Sequence, residues 1–388
     1  MVSSRTDIER VLAQHFHRRH CVLTNRGTTA LTAALTALDR PAGTRALFPA
    51  VMCSIPVFAA RFAGWSPAFA DVNLLDANFD LGSVERKMAE GAVGAVIPVH
   101  MFGKPDNMDG LAALCARYKV DLVEDVALSM GAEYKGRPAG SFGRISCLSF
   151  VRKMLPLEMG GALLTDEPVL AQRARAFVDR LPPEQILRRG ETAAAMKAFH
   201  SLTGYVAAGD WARTALLAPF EDEFRRLLLA STAEEDWESS IVLDELKKLP
   251  DVLQARRARA EVYENAFGEE GISSLDRTGS SLFAYPVRLP GVTVEDFLAF
   301  SLNRGYTFKR VAYPDIHPVF SPREYFPNAE TVEREVIGLP LDDDQPVSSF
   351  WEYAGDFRAM FEAYLKDRSS RPPYDMRGKM ELRMGSGI

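Results

Sequence analysis

Between residues 29 and 180 the chain alternates short apolar runs with stretches whose apolar residues recur at helical spacing. TALTAALTAL (29–38) reads as a helix, ALFPA as a strand, PVFAARFAG as a helix and PAFADV as a strand. SVERKMAE, AVGAVIPVH and MDGLAALCARYK continue the series; in the last, Leu111, Leu114 and Cys115 share one helical face. VDLVEDVA, ISCLSF and GALLTD supply three more strands before the helix of EPVLAQRARAFVDR. Strands alternating with helices predict a mainly parallel sheet with helices on both faces.

From about residue 181 the pattern changes to longer, charged helical stretches, with turn signals at Pro182-Pro183 and Arg189-Gly190. VLDELKKLPDVLQARRARAEVYENAF predicts a long helix, kinked near Pro250, that leads into a second domain. That domain is expected to hold a strand in LFAYPVRL, a helix in VEDFLAFSLNRG and a final helix near 350–364. A chain of 388 residues fits two domains, placed at 1–240 and 241–366. The polar, proline-bearing stretch 367–388 is expected to be extended or mobile.

A formal net charge of −6 gives no reason to expect nucleic acid or an anionic membrane as partner. No segment approaches the roughly 18 uninterrupted apolar residues of a transmembrane helix. The N-terminal MVSSRTDIERVLAQHF carries charges where a signal peptide needs its apolar stretch, so the chain reads as cytoplasmic. Cys21, Cys53, Cys115 and Cys147 are far apart and form no CxxC pair, which argues for small buried apolar residues. In HFHRRH the histidines His15, His17 and His20 stand beside two arginines that oppose a cation, and no metal site is expected.

The chemistry concentrates between residues 123 and 164. VDLVE delivers Asp125 to the carboxyl edge of the sheet, where open α/β folds bind ligands. Lys153 follows ISCLSF and precedes a glycine pair, in a loop rather than on a charged helix face. A carboxylate and a lone lysine at one sheet rim are what pyridoxal 5′-phosphate (PLP) chemistry needs. The lysine holds the aldehyde as a Schiff base, and the carboxylate keeps the pyridine nitrogen protonated. A buried strand-end aspartate and a solvated lysine are the plainer reading of the same two residues. For phosphate there is no GxGxxG, and Gly103-Lys104 lacks the upstream glycine of a P-loop. TNRGTTAL instead opens a helix with Gly27, Thr28 and Thr29, whose backbone N–H groups and two hydroxyls suit an anion. An ordinary N-cap by Thr28 or Thr29 is the alternative.

Taken in order, these segments resemble the DegT/DnrJ/EryC1/StrS family, the sugar aminotransferases within fold type I of PLP enzymes. The resemblance runs from about residue 18 to 340 and rests on NRGTTAL, FPAVMCSIPVFAARFAGWSPAFADV, PVHMFG, EDVA, GAEYKGRPAGSFG and SFVRKMLPLEMGG. It implies a mixed, mainly parallel seven-stranded sheet, a smaller C-terminal α/β domain and a homodimer with active sites at the subunit interface. Lys153 matches the family's cofactor-linking lysine, which favours transamination over the family's dehydratase branch, where a histidine stands. Asp125 matches the partner of the pyridine nitrogen, and Thr28, Thr29 and Ser149 match phosphate-binding positions. His100, in PVHMFG, is read first as a hydrogen-bonded core histidine and second as a neighbour of the cofactor.

Four positions depart from the family pattern. Leu128 stands where many members have glutamine, and Val51 where a ring-stacking aromatic is usual. The spacing from SF to Lys153 is one residue short, in an RK-x-LP form of a minor branch, and EMGG replaces GEGG. Segment 181–237 matches poorly and is read as a branch-specific helical cap. The expected substrates are small: an amino donor, first L-glutamate, and a keto sugar, most often nucleotide-linked. A non-nucleotide acceptor (cyclitol, free keto sugar or amino acid) and an inactive PLP-binding regulatory or structural protein are the rival readings.

Overall fold

The computed structural model describes residues 4–370 except 152–153, 158, 184–190, 192–193, 196, 200–209, 232–238, 268–270, 310, 312, 314–315, 322 and 342–343. The chain opens with two elements that the sequence reading did not assign. Helix α1 (Arg5–His15) starts at a capping box in which Ser4 and Asp7 satisfy each other's backbone N–H groups. His17 then turns the chain with φ 54°, and β1 (His20–Thr24) follows. The stretch that looked like a basic histidine cluster is therefore a helix end, a turn and a strand start.

The predicted alternation appears as α2 (Gly27–Ala37), β2 (Arg45–Pro49), α3 (Ile55–Phe62), β3 (Ser66–Ala70), α4 (Leu81–Ala89), β4 (Val93–Val96), α5 (Met108–Tyr118) and β5 (Asp121–Asp125). A hairpin of β6 (Glu133–Tyr134) and β7 (Arg137–Pro138) precedes β8 (Ile145–Ser149), β9 (Gly161–Thr165) and α6 (Pro168–Val178). Seven strands form one sheet in the order β1-β9-β8-β5-β4-β2-β3. β9 runs antiparallel to both its neighbours, and the other pairs are parallel.

Successive strand residues face opposite sides. Val22, Phe48, Val123 and Leu163 pack under α2, α3 and α6. Leu23, Leu148 and Leu164 pack under α1, while Leu47, Val96 and Leu122 pack under α4 and α5. α2 is buried on nearly every side, which explains its lack of charge: GTTALTAALTA lies between the sheet and two other helices.

Helix α7 (Asp210–Leu228) packs on α3. Helix α8 (Ser239–Ala266) runs through Pro250 and is shared by two cores. Val242, Leu246 and Leu249 join the large-domain core, whereas Ala260, Val262 and Tyr263 join the small one. The small domain has an antiparallel sheet of β10 (Ser273–Ser274), β11 (Tyr285–Arg288) and β12 (Val336–Leu339), with α9 (Val294–Leu302) and α12 (Val347–Ser370) packed on it. Between them lie α10 (His317–Phe320) and α11 (Pro327–Glu335), and Ile316, Phe326, Ala329 and Val332 are buried in the large-domain core. α8 thus contributes to both cores, and α12 runs on through Asp367 to Ser370.

Candidate active site

Because β1, β2, β4, β5 and β8 are parallel, their carboxyl ends share one edge of the sheet, the position open α/β folds use for ligands. A pocket of about 220 Å³ opens there. Its wall takes Arg26, Gly27 and Thr28 from beyond β1, Met52 and Cys53 from beyond β2, Met101 from beyond β4, Asp125 from β5 and Ser149 from β8. Ile55, Pro56, Leu128, Leu228 and Tyr313 also line it.

The close packing around the first turn of α2 depends on glycine. A Cβ on Gly27 would lie 2.7 Å from Ser149 Cβ and 3.2 Å from its Oγ. A Cβ on Gly161 would lie 2.6 Å from the Leu148 carbonyl oxygen and 2.7 Å from the Gly27 nitrogen. Gly160 has φ 109°, and its N–H donates to the Asn25 carbonyl at 2.5 Å. The glycine pair after Lys153 thus lets β9 pass beneath the first turn of α2. Arg26, the N-cap of α2, makes no side-chain cap hydrogen bond, so the amides of that first turn have no side-chain acceptor from the cap residue.

Asp125 is fixed by its own backbone: its N–H donates to the Pro98 carbonyl at 2.9 Å, and the Ala127 N–H donates to its Oδ1 at 3.0 Å. Its neighbour Glu124 is fully buried on the opposite face. Glu124 accepts backbone N–H groups from Gly140 (2.8 Å), Phe142 (2.8 Å) and Gly143 (2.5 Å). Burial alone would raise its pKa, but His100 and those amides outweigh burial and hold it below the ordinary value. His100 Nδ1 accepts the Asp106 N–H at 3.1 Å, which places the ring proton on Nε2, 3.5 Å from Glu124 Oε2. His100 is a core residue behind the site and not part of its wall. Burial, with Asp125 and Glu124 nearby, raises the Cys147 thiol well above its ordinary value. Burial also raises the Tyr313 phenol, aided by Cys53 and Asp125.

Of the residues predicted for the site, Gly27, Thr28, Asp125, Leu128 and Ser149 line this one pocket. Lys153 lies outside the described residues. Thr29 and Val51 are fully buried and do not line the pocket; the Thr29 hydroxyl donates to the Leu228 carbonyl at 3.0 Å. Met52 and Cys53, one and two residues further on, take the wall position expected of Val51. Leu228 and Tyr313 carried no local signal, because each reaches the site from a distant segment.

A family model matches residues 3–345. The chain belongs to the DegT/DnrJ/EryC1/StrS aminotransferase family. Its activity class is accordingly that of an aminotransferase. Among curated members it is 26% identical over 357 residues to the dTDP-4-dehydro-2,3,6-trideoxy-D-glucose 4-aminotransferase of Saccharopolyspora spinosa, covering 90% of this chain and 86% of that one. It is 25% identical over 295 residues to the GDP-4-keto-6-deoxy-D-mannose 3-dehydratase of Yersinia pseudotuberculosis, covering 72% and 69%. In structure it resembles a putative sugar aminotransferase of Streptococcus pneumoniae, with a TM-score of 0.75 and 18% identity over 94% of this chain and 92% of that one. That protein has also been solved in PMP and PLP forms. The fold is therefore the type I fold of this aminotransferase family.

Proposed function

We propose that the chain binds PLP in this pocket and moves an amino group from an amino acid, first L-glutamate, to the ketone of a nucleotide-linked sugar. The observation that carries the reading is one pocket holding both a strand-end carboxylate, Asp125, and an anion cradle of Gly27, Thr28 and Ser149. These residues fit a phosphorylated pyridine: the space beside Ser149 exists only because Gly27 has no Cβ. When bound, the cofactor supplies a cationic ring that withdraws electrons from an amino acid's α carbon. Asp125 would hold the proton on the ring nitrogen, since an adjacent carboxylate favours the charged form. The cradle would hold the phosphate through N–H groups at a helix N-terminus and two hydroxyls. Lys153 would hold the cofactor's aldehyde carbon covalently and, once displaced by the amino donor, move the proton at the α carbon.

Family membership also supports a homodimer as the working form. No helix among the described residues is long and apolar enough to cross a membrane. The sugar acceptor draws support from the relative in S. spinosa, and the dehydratase relative marks the alternative branch chemistry. The test is direct. PLP-loaded protein given L-glutamate should release pyridoxamine phosphate, and reloading with that product should aminate a nucleotide-linked keto sugar. Turnover only with a free keto sugar or a cyclitol ketone would move the substrate to the non-nucleotide class. No pyridoxamine phosphate with any amino donor would leave a binding protein and overturn the catalytic reading.

A further inference from the structure

Helix α7 ends at the pocket. Its last residue, Leu228, is buried and lines the wall with Ile55 and Pro56 of α3. The final carbonyls of a helix have no partner within it. Here the Leu228 carbonyl accepts the Thr29 hydroxyl at 3.0 Å and the Asn25 side-chain amide at 3.5 Å. Thr29 and Asn25 are both completely buried, and they lie on either side of Gly27 and Thr28 in the chain. The rest of α7 is anchored elsewhere. Phe224 packs edge-on against Phe58 at 4.9 Å between ring centroids, and Arg61 makes a two-pronged ion pair with Glu221 at 2.8 and 2.6 Å. The Arg225 guanidinium lies 4.8 Å from the centre of the Phe62 ring.

The Thr29 hydroxyl is thus committed to α7 and turned away from the anion cradle. The wall of Ile55, Pro56 and Leu228 offers nothing that a phosphate or a ring nitrogen requires, which leaves it to the substrate. We propose that Thr29 and Asn25 are positioning residues that latch the carboxyl end of α7 over the pocket, making Leu228 a specificity-determining wall of the acceptor subsite. The inference rests on the cofactor reading above, but its central measurement does not.

That measurement is amide hydrogen exchange in the apo-protein. Removing one neutral hydrogen bond should raise exchange in segment 217–231 roughly fivefold in Thr29→Val, with peptides of α5 unchanged. Thr29→Ser keeps the hydroxyl and should exchange like wild type. In PLP titrations Thr29→Val should bind within about threefold of wild type, whereas Thr28→Val should lose about tenfold or more. With acceptor substrate, Thr29→Val and Leu228→Ala should raise KM several-fold while leaving kcat nearly unchanged. If Thr29→Val weakens PLP as much as Thr28→Val and leaves exchange in α7 untouched, Thr29 is a phosphate ligand and the latch is refuted. Should Thr29→Val fail to fold, Glu221→Ala loosens α7 from its far side; an unchanged acceptor KM in that variant refutes the wall. Wild-type protein that binds no PLP would sink the cofactor reading, while the exchange result would still judge the latch.

Discussion

Glu124 and Asp125 are adjacent carboxylates that point to opposite faces of one strand, and their surroundings divide their tasks. Glu124 is sealed behind the sheet by three backbone amides, so it fixes the 140–143 loop against the end of β5. Asp125 faces the pocket, and Asp125→Asn should lose at least about a hundredfold in turnover while still binding PLP through its phosphate. Steady-state kinetics on the reconstituted variant would check this; near wild-type turnover would assign the ring nitrogen to another acid. Lys153 has its own test. Borohydride reduction of the PLP-loaded protein followed by peptide mapping should place the label on Lys153, and a label on Lys104 or Lys135 would overturn the assignment. Asp106 makes a prediction about pH. Burial, then the charge of Asp76, raises its pKa from 3.8 to about 7, against the pull of His100 and the amides of Phe79 and Asn107. The native state therefore holds this proton more tightly than the unfolded chain does. Its favourable contribution is complete below the unfolded value of 3.8 and is lost as pH rises through about 7. Glu124, with a lowered pKa, acts in the opposite sense and loses its contribution on acidification. Urea midpoints from pH 5 to pH 8 should fall less steeply in Asp106→Asn than in wild type, and an identical slope would show that Asp106 does not titrate in that range.

The elements around the pocket meet at distances that only glycine permits. Gly161 on β9 has backbone atoms of Arg26, Gly27 and Leu148 within 2.7 Å of where a Cβ would sit. None of these atoms is the end of a flexible side chain, so Gly161→Ala must move α2 or β8. Overpacking of this kind costs roughly 1–3 kcal/mol, and PLP affinity should fall by more than about tenfold because the cradle itself shifts. Calorimetry and PLP titration would show both effects; a variant with wild-type affinity would mean the cradle tolerates the displacement. Gly355 in α12 is the control, since nothing lies within 4 Å of its missing Cβ. Gly355→Ala should stabilise the protein by about 0.5–1 kcal/mol through helix propensity. The phosphate end of the pocket should dominate cofactor retention. Ser149→Ala is expected to weaken PLP roughly ten- to a hundredfold, and Leu128→Ala less, since its carbonyl is held by the Ser281 hydroxyl at 2.9 Å whatever its side chain.

At the scale of the molecule, α8 ties the two domains together by belonging to both cores. Arg256, in its second half, is buried and donates to the Leu282 carbonyl at 3.4 Å and to Met154 Sδ at 3.0 Å. Segment 275–283 adds backbone hydrogen bonds to the large-domain loops: Asp276 N–H to the Leu75 carbonyl, Glu133 N–H to the Gly279 carbonyl, and Phe283 N–H to the Phe102 carbonyl. A helix shared in this way couples the stability of the domains. Leu249→Ala, in the large-domain half of α8, should cost about 2–5 kcal/mol and speed amide exchange in β11 and β12 as well as in the large domain. Exchange confined to the large domain would show that the domains unfold separately.

The sequence by itself determined the alternating α/β architecture, because each strand and helix writes its burial into local periodicity. It also marked Asp125 and the Gly27-Thr28 turn, since strand ends and helix starts are set by neighbouring residues, whereas Ser149 came only from the family resemblance. Where the signal was not local it failed. His20 to Thr24 formed a strand despite the basic stretch before it, because an edge strand of this sheet could pair with β9. Thr29 kept its hydrogen bond but gave it to Leu228, nearly two hundred residues away, which no spacing within NRGTTAL could reveal. Leu228 and Tyr313 entered the pocket only because packing of α7 on α3, and of the 311–336 segment on the large-domain core, carried them there. Local chemistry marked the carboxylate and the helix start that line the pocket; long-range packing chose the other walls.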